Sequence, residues 1–178
     1  VAPSNPADAK GLLKSALREN NPVIYFENKI LFKQKGLVPD GDFTVPIGKA
    51  NVTKEGRDVT IVSYSIMMNT VLEAASILDK EGISAEVVDL RTISPIDKET
   101  ILNSVAKTKR LAVAHEAVKQ GGVGAEIAAI VAEEAIDCLD APILRFGAPF
   151  VPVPFAPTLE KGVRVSAMDI VNGIKGMF

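Results

Sequence analysis

Hydrophobic and polar positions follow two different periods along the chain, and the change of period marks the predicted elements. Short aliphatic runs, typical of buried strands, alternate with longer segments in which apolar residues recur every three or four positions. This alternation predicts βαβ crossovers and a parallel sheet. The fold class predicted is α/β, a three-layer sandwich with a mostly parallel sheet. The predicted strands are 59–64, 83–90, 111–115 and 143–146, and the predicted helices are 68–80, 123–138 and 166–177.

One further helix is predicted to open at Ser94-Pro95, with Ile101, Leu102 and Val105 facing inward. The segment 149–157 contains four prolines, which fix φ and remove backbone donors, so it is predicted to be irregular.

The start of the chain has a separate pattern. Asn5-Pro6 is a favourable helix start, and Asn20-Asn21-Pro22 is predicted to end that helix. A short strand is predicted at 23–26, followed by a mixed linker at 27–44. One helix and one strand are too little to fold alone. We therefore expect 1–26 to be the end of a preceding α/β domain and 45–178 to be one further domain.

Composition narrows the class of protein. The chain has 178 residues, of which 47% are hydrophobic and only 5% aromatic, so its core must be aliphatic, as in sheets covered by helices. The net charge of −2 gives no broad basic surface for nucleic acid. No apolar run reaches the roughly 18 residues needed to cross a bilayer. The single Cys cannot form an intrachain disulfide.

His115-Glu116 is the first candidate for chemistry. The pair lies at the carboxyl end of a predicted strand, where α/β sheets place their ligand sites. His115 is the only histidine, so a His-based metal cluster is excluded. A general acid or base is one interpretation; a structural or interface role is favoured, because no nucleophile is identifiably paired with it.

Gly121-Gly122-Val123-Gly124 stands between a strand and a helix, where backbone amides could bind an anion. The spacing differs from that of dinucleotide-binding and P-loop motifs, and a tight turn with close helix packing is favoured. Asp89-Leu90-Arg91 is interpreted as an ion pair that anchors a loop. These residues together predict an α/β module with no self-sufficient active site.

A set of segments in order along the whole chain is informative when taken together. The segments are VAPSNPADAKGLL at 1–13, NPVIYFE at 21–27, VDLRTISP at 88–95, the pair at 115–116 with GGVGAEI at 121–127, LDAPI at 139–143 and VPVPF at 151–155. With these segments the chain resembles the carboxyl-terminal half of the beta subunits of thiamine-diphosphate-dependent 2-oxo acid dehydrogenases, namely the pyruvate, branched-chain and acetoin enzymes.

The resemblance implies a domain organisation. Residues 1–26 would be the end of the pyrimidine-binding domain, 27–44 a linker, and 45–178 a transketolase C-terminal-like domain that packs subunits together. Thiamine diphosphate and Mg²⁺ would be bound in the full complex by parts that precede Val1. No catalytic or cofactor-binding residue is therefore assigned here, and the isolated chain is expected to be inactive.

The resemblance also implies two binding sites. A potassium-like cation would lie at the end of the first helix, at Ala16, Glu19 and Asn21. Asp140 and the terminal carboxylate of Phe178 would receive the basic peripheral binding domain of the dihydrolipoyl acyltransferase. His115, Glu116, Gly121 and Gly122 remain as interface candidates.

The expected partners are an alpha subunit and a second beta subunit, in a heterotetramer of a multienzyme complex. The expected location is the cytoplasm of a bacterium or the mitochondrial matrix of a eukaryote.

Two alternatives stay open. One is a stand-alone interaction module with the same fold. The other is the C-terminal domain of a single-chain transketolase or deoxyxylulose phosphate synthase, against which the LDAP segment at 139–142 and the PVPF segment at 152–155 argue.

Overall fold

A five-stranded sheet forms the centre of the computed structural model, which describes residues 1–178. The strand order is β1-β3-β2-β4-β5, with β2 to β5 parallel and β1 antiparallel to β3 at one edge. The strands are β1 (Asn51–Lys54), β2 (Val59–Ser63), β3 (Ala85–Asp89), β4 (Leu111–Val118) and β5 (Leu144–Ala148).

Helices cover both faces of the sheet, which confirms the three-layer α/β prediction. Helices α2 (Met67–Lys80) and α6 (Ala167–Lys175) pack on one face, and α3 (Lys98–Thr108) and α4 (Val123–Glu134) pack on the other. Because both faces are covered, every residue of β2 and β3 is buried. The remaining helices are α1 (Pro6–Ala16) and α5 (Pro157–Val163), with 3₁₀ turns at Lys29–Lys33 and Ile136–Cys138. None of these helices is both long and apolar enough to cross a membrane.

The chain leaves the two neighbouring central strands, β2 and β4, toward opposite faces of the sheet. Strand β2 is followed by α2 on one face, whereas its neighbour β4 is followed by α4 on the other. At such a topological switch point the loops diverge and leave a crevice beyond the carboxyl ends of the strands. This crevice is the place in the fold where a ligand is most readily accommodated.

Helix α1 begins as predicted. Asn5 is the N-cap, with its side-chain oxygen 2.9 Å from the backbone nitrogen of Asp8, and Pro6 is the first helical residue. The helix ends at Ala16 and not at the predicted Asn20-Asn21-Pro22. The N–H of Arg18 donates to the carbonyl of Ser15, only three residues earlier, and this bond tightens the last turn and ends the helix.

The predicted strand at 23–26 is wrong. This segment is extended, but its pairing is limited to Val1, which donates from its amino group to Ile24 at 2.9 Å and accepts from the N–H of Phe26 at 2.9 Å. Pairing with a single residue does not form a ladder.

Two helix boundaries also differ from the prediction. Helix α3 starts at Lys98 and not at Ser94-Pro95, because Asp97 caps it by accepting from the N–H of Thr100. Helix α4 ends at Glu134 and not at Cys138, and the 3₁₀ turn follows. The structure adds β1 and α5, which the hydrophobic pattern did not indicate.

Candidate functional site

His115 lies fully buried in β4, next to the switch-point crevice. Its Nδ1 is 3.0 Å from the carbonyl oxygen of Ala117. A carbonyl can only accept, so Nδ1 carries the proton and Nε2 is left as an acceptor in the neutral ring. Nε2 has no hydrogen-bond partner. The ring of Tyr64 stacks beside it, with centroids 6.3 Å apart.

Three glycines close around the imidazole of His115. A Cβ on Gly122 would lie 2.7 Å from Cε1, one on Gly124 would lie 2.8 Å from Nε2, and one on Gly147 would lie 2.9 Å from Cε1. The glycines of the 121–124 segment thus let the backbone at the start of α4 approach the ring, and Gly121 adopts φ 68°. His115 thus packs directly against the backbone at the start of α4.

Burial lowers the pKa of His115 below its ordinary value, and the positive charge of Arg145 adds to this. The hydrogen bond to Ala117 acts in the opposite direction. His115 is therefore held neutral, a state that suits packing.

Glu116 follows His115 in the strand, so its side chain points to the opposite side and is exposed. Its carboxylate accepts a hydrogen bond from Asn28 at 3.0 Å and lies 4.0 Å from the guanidinium of Arg164. The two residues that sequence analysis treated as a pair thus have separate surroundings.

A cleft of about 440 Å³ lies at the switch point. Tyr64, Ser65 and Ile66 line it where the chain leaves β2, and Glu116 and Ala117 line it from β4. Burial raises the pKa of Tyr64, and the negative charge of Glu116 contributes. Sequence reasoning missed this cleft, since only the topology brings the two strand ends together.

Asp140 and Phe178 lie beside the start of β4, at the amino ends of the parallel strands and thus at the end of the sheet opposite to the cleft. The backbone N–H of Asp140 donates to the carbonyl of Lys109 at 2.8 Å. The next residue, Arg110, places its guanidinium 4.2 Å from the centroid of the Phe178 ring and donates to the carbonyl of Met177. The two residues just before β4 therefore contact Asp140 and Phe178 respectively, although these lie 38 positions apart in the sequence.

The proposed cation ligands lie at and beyond the carboxyl end of α1. The carbonyl of Ala16 accepts a long hydrogen bond of 3.4 Å from the N–H of Glu19, which leaves a second lone pair. Glu19 and Asn21 are exposed. No group of three or more His, Cys, Asp or Glu side chains is arranged to hold a metal ion.

A buried polar cluster joins α1 to the loop after β3. Asp8 and Arg91 pair through two contacts, of 2.7 Å and 2.9 Å, and Ser4 donates to the carboxylate of Asp89. The predicted anchoring ion pair thus exists, but Arg91 uses Asp8 and not Asp89. The DLR motif alone could not identify a partner 83 residues away.

Residues 48–170 match the family model described as the C-terminal domain of transketolase. The fold is similar to that of a split-gene transketolase solved as an inactive beta4 tetramer, with a TM-score of 0.79 and 29% identity over 99% of this chain and 55% of that one.

Curated relatives extend the similarity over nearly the whole chain. The mitochondrial pyruvate dehydrogenase E1 subunit beta of Dictyostelium discoideum is 51% identical over 98% of this chain and 50% of its own length. From Bacillus subtilis, an acetoin:2,6-dichlorophenolindophenol oxidoreductase subunit beta is 49% identical over 90% of this chain and 47% of its own. The 2-oxoisovalerate dehydrogenase subunit beta of the same organism is 48% identical over 90% and 50%. The chain spans about half the length of these relatives.

Proposed function

The chain belongs to the transketolase C-terminal domain family, within the group that includes beta subunits of 2-oxo acid dehydrogenases, and from this premise we propose that it forms the carboxyl-terminal part of such a subunit. The observation that carries the proposal is 48–51% identity to three such subunits over at least nine-tenths of the chain. The reaction class is oxidative decarboxylation of a 2-oxo acid, or cleavage of acetoin, with acyl transfer to lipoamide. Thiamine diphosphate with Mg²⁺ would supply the carbanion chemistry in the full complex.

In this proposal the carboxyl-terminal part of the subunit serves assembly and docking, and the residues that carry out catalysis lie elsewhere in the complex. The glycines of the 121–124 segment pack against the imidazole of His115. The isolated chain should therefore neither bind thiamine diphosphate nor turn over substrate. Calorimetry with thiamine diphosphate and Mg²⁺ tests this, and tight binding by the isolated chain would contradict it.

The domain organisation belongs to the same proposal. Residues 1–26 are the end of a pyrimidine-binding domain, 27–44 a linker, and 45–178 the domain that contacts the alpha subunit and a second beta subunit. The subunit contacts are supported by exposed apolar side chains in the segment 149–157, including Phe150, Val153 and Phe155.

A potassium-like cation at Ala16, Glu19 and Asn21 would order the end of α1. The location would be a bacterial cytoplasm or a mitochondrial matrix.

The edge formed by Asp140 and Phe178 is the proposed docking site for the peripheral binding domain of the acyltransferase. Asp140 is exposed, and Arg110 fixes the position of the Phe178 ring. The exposed carboxylate of Asp140 suits a basic partner, through charge-assisted contacts that salt weakens.

Binding of the peripheral binding domain to the alpha-beta complex tests this edge directly. Asp140→Asn should weaken binding about fivefold, a typical loss for one partly exposed charge contact, and most strongly at low salt. Asp137→Asn, at an exposed position in the preceding 3₁₀ turn, is the matched control and should bind as the unmodified chain does. Equal affinity of both variants would reject the docking edge while leaving the family assignment intact.

A further inference from the structure

The switch-point cleft is independent of the docking edge, because it lies beyond the carboxyl ends of β2 and β4, whereas Asp140 and Phe178 lie at their amino ends. Its volume of about 440 Å³ falls within the range of small-molecule sites. Seven of its eleven lining residues are hydrophobic, among them Phe26, Ile66 and Ile93. The cleft therefore lies where ligands usually bind in an open α/β sheet. It also has the volume and the apolar lining that are typical of a small-molecule site.

The charged groups of the cleft all have one sign. Its lining includes Glu27 and Glu116 and no basic residue. Arg164 is the nearest cation to Glu116, but it is 4.0 Å away and makes a closer pair with Glu160. The charge of Glu116 reaches the interior of the cleft, since it contributes to the raised pKa of Tyr64. A cationic group is the complement of this surface.

The backbone at Ser65 is also unusual. Ser65 has φ 53°, in the left-handed region that non-glycine residues seldom adopt, and it lines the cleft at the exit from β2. Residues held in such conformations cluster at ligand sites, because the surrounding structure must maintain them.

We propose that this cleft binds a small apolar molecule that carries an ammonium group. The ammonium lies against Glu116 and Glu27, and the apolar body lies against Ile66, Ile93 and the ring of Tyr64. Binding is non-covalent and requires no cofactor. The proposal goes beyond the role in assembly and docking and does not depend on it.

Two classes of molecule combine an apolar body with an ammonium group, and they differ in whether they also carry a carboxylate. A simple amine has only the ammonium, whereas an α-amino acid adds a carboxylate. Helix α2 begins beside Ile66 and α4 begins at Val123, both at the cleft, and neither has a side-chain cap. At α2 the N–H groups of Met68 and Asn69 already bond to Ser65 and Ile66, and at α4 that of Ala125 bonds to Gly122. The N–H groups that remain at these helix starts would receive a carboxylate, so the two sources should differ in affinity.

The test is a titration of the isotopically labelled chain followed by amide chemical shifts. The probes are 3-methylbutylamine, L-leucine and 4-methylpentanoate, which share an apolar body and carry an ammonium, both charges and a carboxylate respectively. Saturable shifts at Ser65, Ala117 and Val123 are expected with the amine and with leucine, and not with the acid. Tighter binding of leucine assigns the site to amino acids, and tighter binding of the amine assigns it to simple amines.

Three variants locate the binding. Glu116→Gln keeps the shape of the side chain and should weaken amine binding about fivefold. Glu133→Gln, at an exposed position near the end of α4, should leave it unchanged. Ala117→Phe fills the cleft and should abolish binding, with folding checked by circular dichroism.

Several results would overturn the proposal. They are the absence of saturable shifts up to millimolar ligand, equal binding of the acid and the amine, and equal affinities of Glu116→Gln and Glu133→Gln. Protection of the same amides by self-association without ligand would assign the cleft to an interface between copies of the chain, and would also overturn it.

Discussion

Asp8 and Arg91 form a bidentate salt bridge that joins the first helix to the loop after β3. The Oδ1–Nη2 distance is 2.7 Å and the Oδ2–Nε distance is 2.9 Å, and the side chain of Asp8 is only 3% exposed. Such paired, parallel hydrogen bonds are stronger than single ones. Together with the hydrogen bond from the N–H of Ala2 to the carbonyl of Arg91, this contact attaches α1 to the sheet domain.

Arg91→Met should destabilise the chain by about 3 kcal/mol, because it leaves the buried carboxylate of Asp8 without its partner. The matched control is Arg18→Met, which breaks an exposed pair with Asp42 and should change stability little. The midpoint of urea unfolding measures both. Similar losses in the two variants would show that burial of Asp8 does not matter.

The ionisation of Asp89 should lower the free energy of unfolding as pH rises. Burial, opposed by hydrogen bonds from Ser4 and the N–H of Arg91, raises the pKa of Asp89 to about 6. The folded chain therefore retains a proton that the unfolded chain releases between about pH 4 and pH 6, so its stability decreases across that window.

Asp89→Asn should remove this contribution to the pH dependence and stabilise the chain at pH 7.5 by roughly 1–3 kcal/mol, since a neutral side chain then replaces a buried carboxylate. Urea unfolding at pH 4.5 and pH 7.5 measures the change. Asp137→Asn, at an exposed position, should leave the pH dependence unaltered. Loss of stability in Asp89→Asn at pH 7.5 would contradict the raised pKa.

The parallel core could be predicted from sequence because its strands are fully buried and continuously aliphatic. Strand β1 was missed, since Asn51, Thr53 and Lys54 surround a single apolar residue and an edge strand need not be apolar. The segment 23–26 was predicted as a strand because Val23-Ile24-Tyr25-Phe26 has strong β propensity, but propensity cannot provide a pairing partner.

The sites were less predictable because they depend on contacts between distant positions. His115 could be identified from its place at a strand end, but its contact with Gly147 depends on the pairing of β4 with β5. Similarly, the LDAP motif indicates Asp140, whereas its hydrogen bond to Lys109 and the contact of Arg110 with Phe178 follow only from the three-dimensional structure.

His115 should be mostly neutral, in one tautomer, at the pH where an exposed histidine is half protonated. Burial lowers its pKa, so at pH 6.5, where an exposed histidine is about half protonated, most rings should keep a proton on Nδ1 and none on Nε2. Long-range ¹H–¹⁵N correlation spectra distinguish the tautomers. Because the folded pKa is depressed, this group stabilises the chain above about pH 6.5 and the contribution is lost as pH falls through the folded value. A ring that is mostly doubly protonated at pH 6.5 would contradict the buried, neutral assignment.

Gly124→Ala should destabilise the chain by about 1–3 kcal/mol, because the new Cβ would lie 2.8 Å from Nε2 of His115 and the ring has no room to retreat. The matched control is Gly162→Ala in α5, where a Cβ meets nothing within 4 Å and higher helix propensity should leave stability equal or slightly increased. If the clash with the imidazole is the cause, His115→Ala combined with Gly124→Ala should lose less than the sum of the two single losses. Urea unfolding of the four variants measures this coupling, and strict additivity would show that Gly124 is required for a reason other than the approach of α4 to His115.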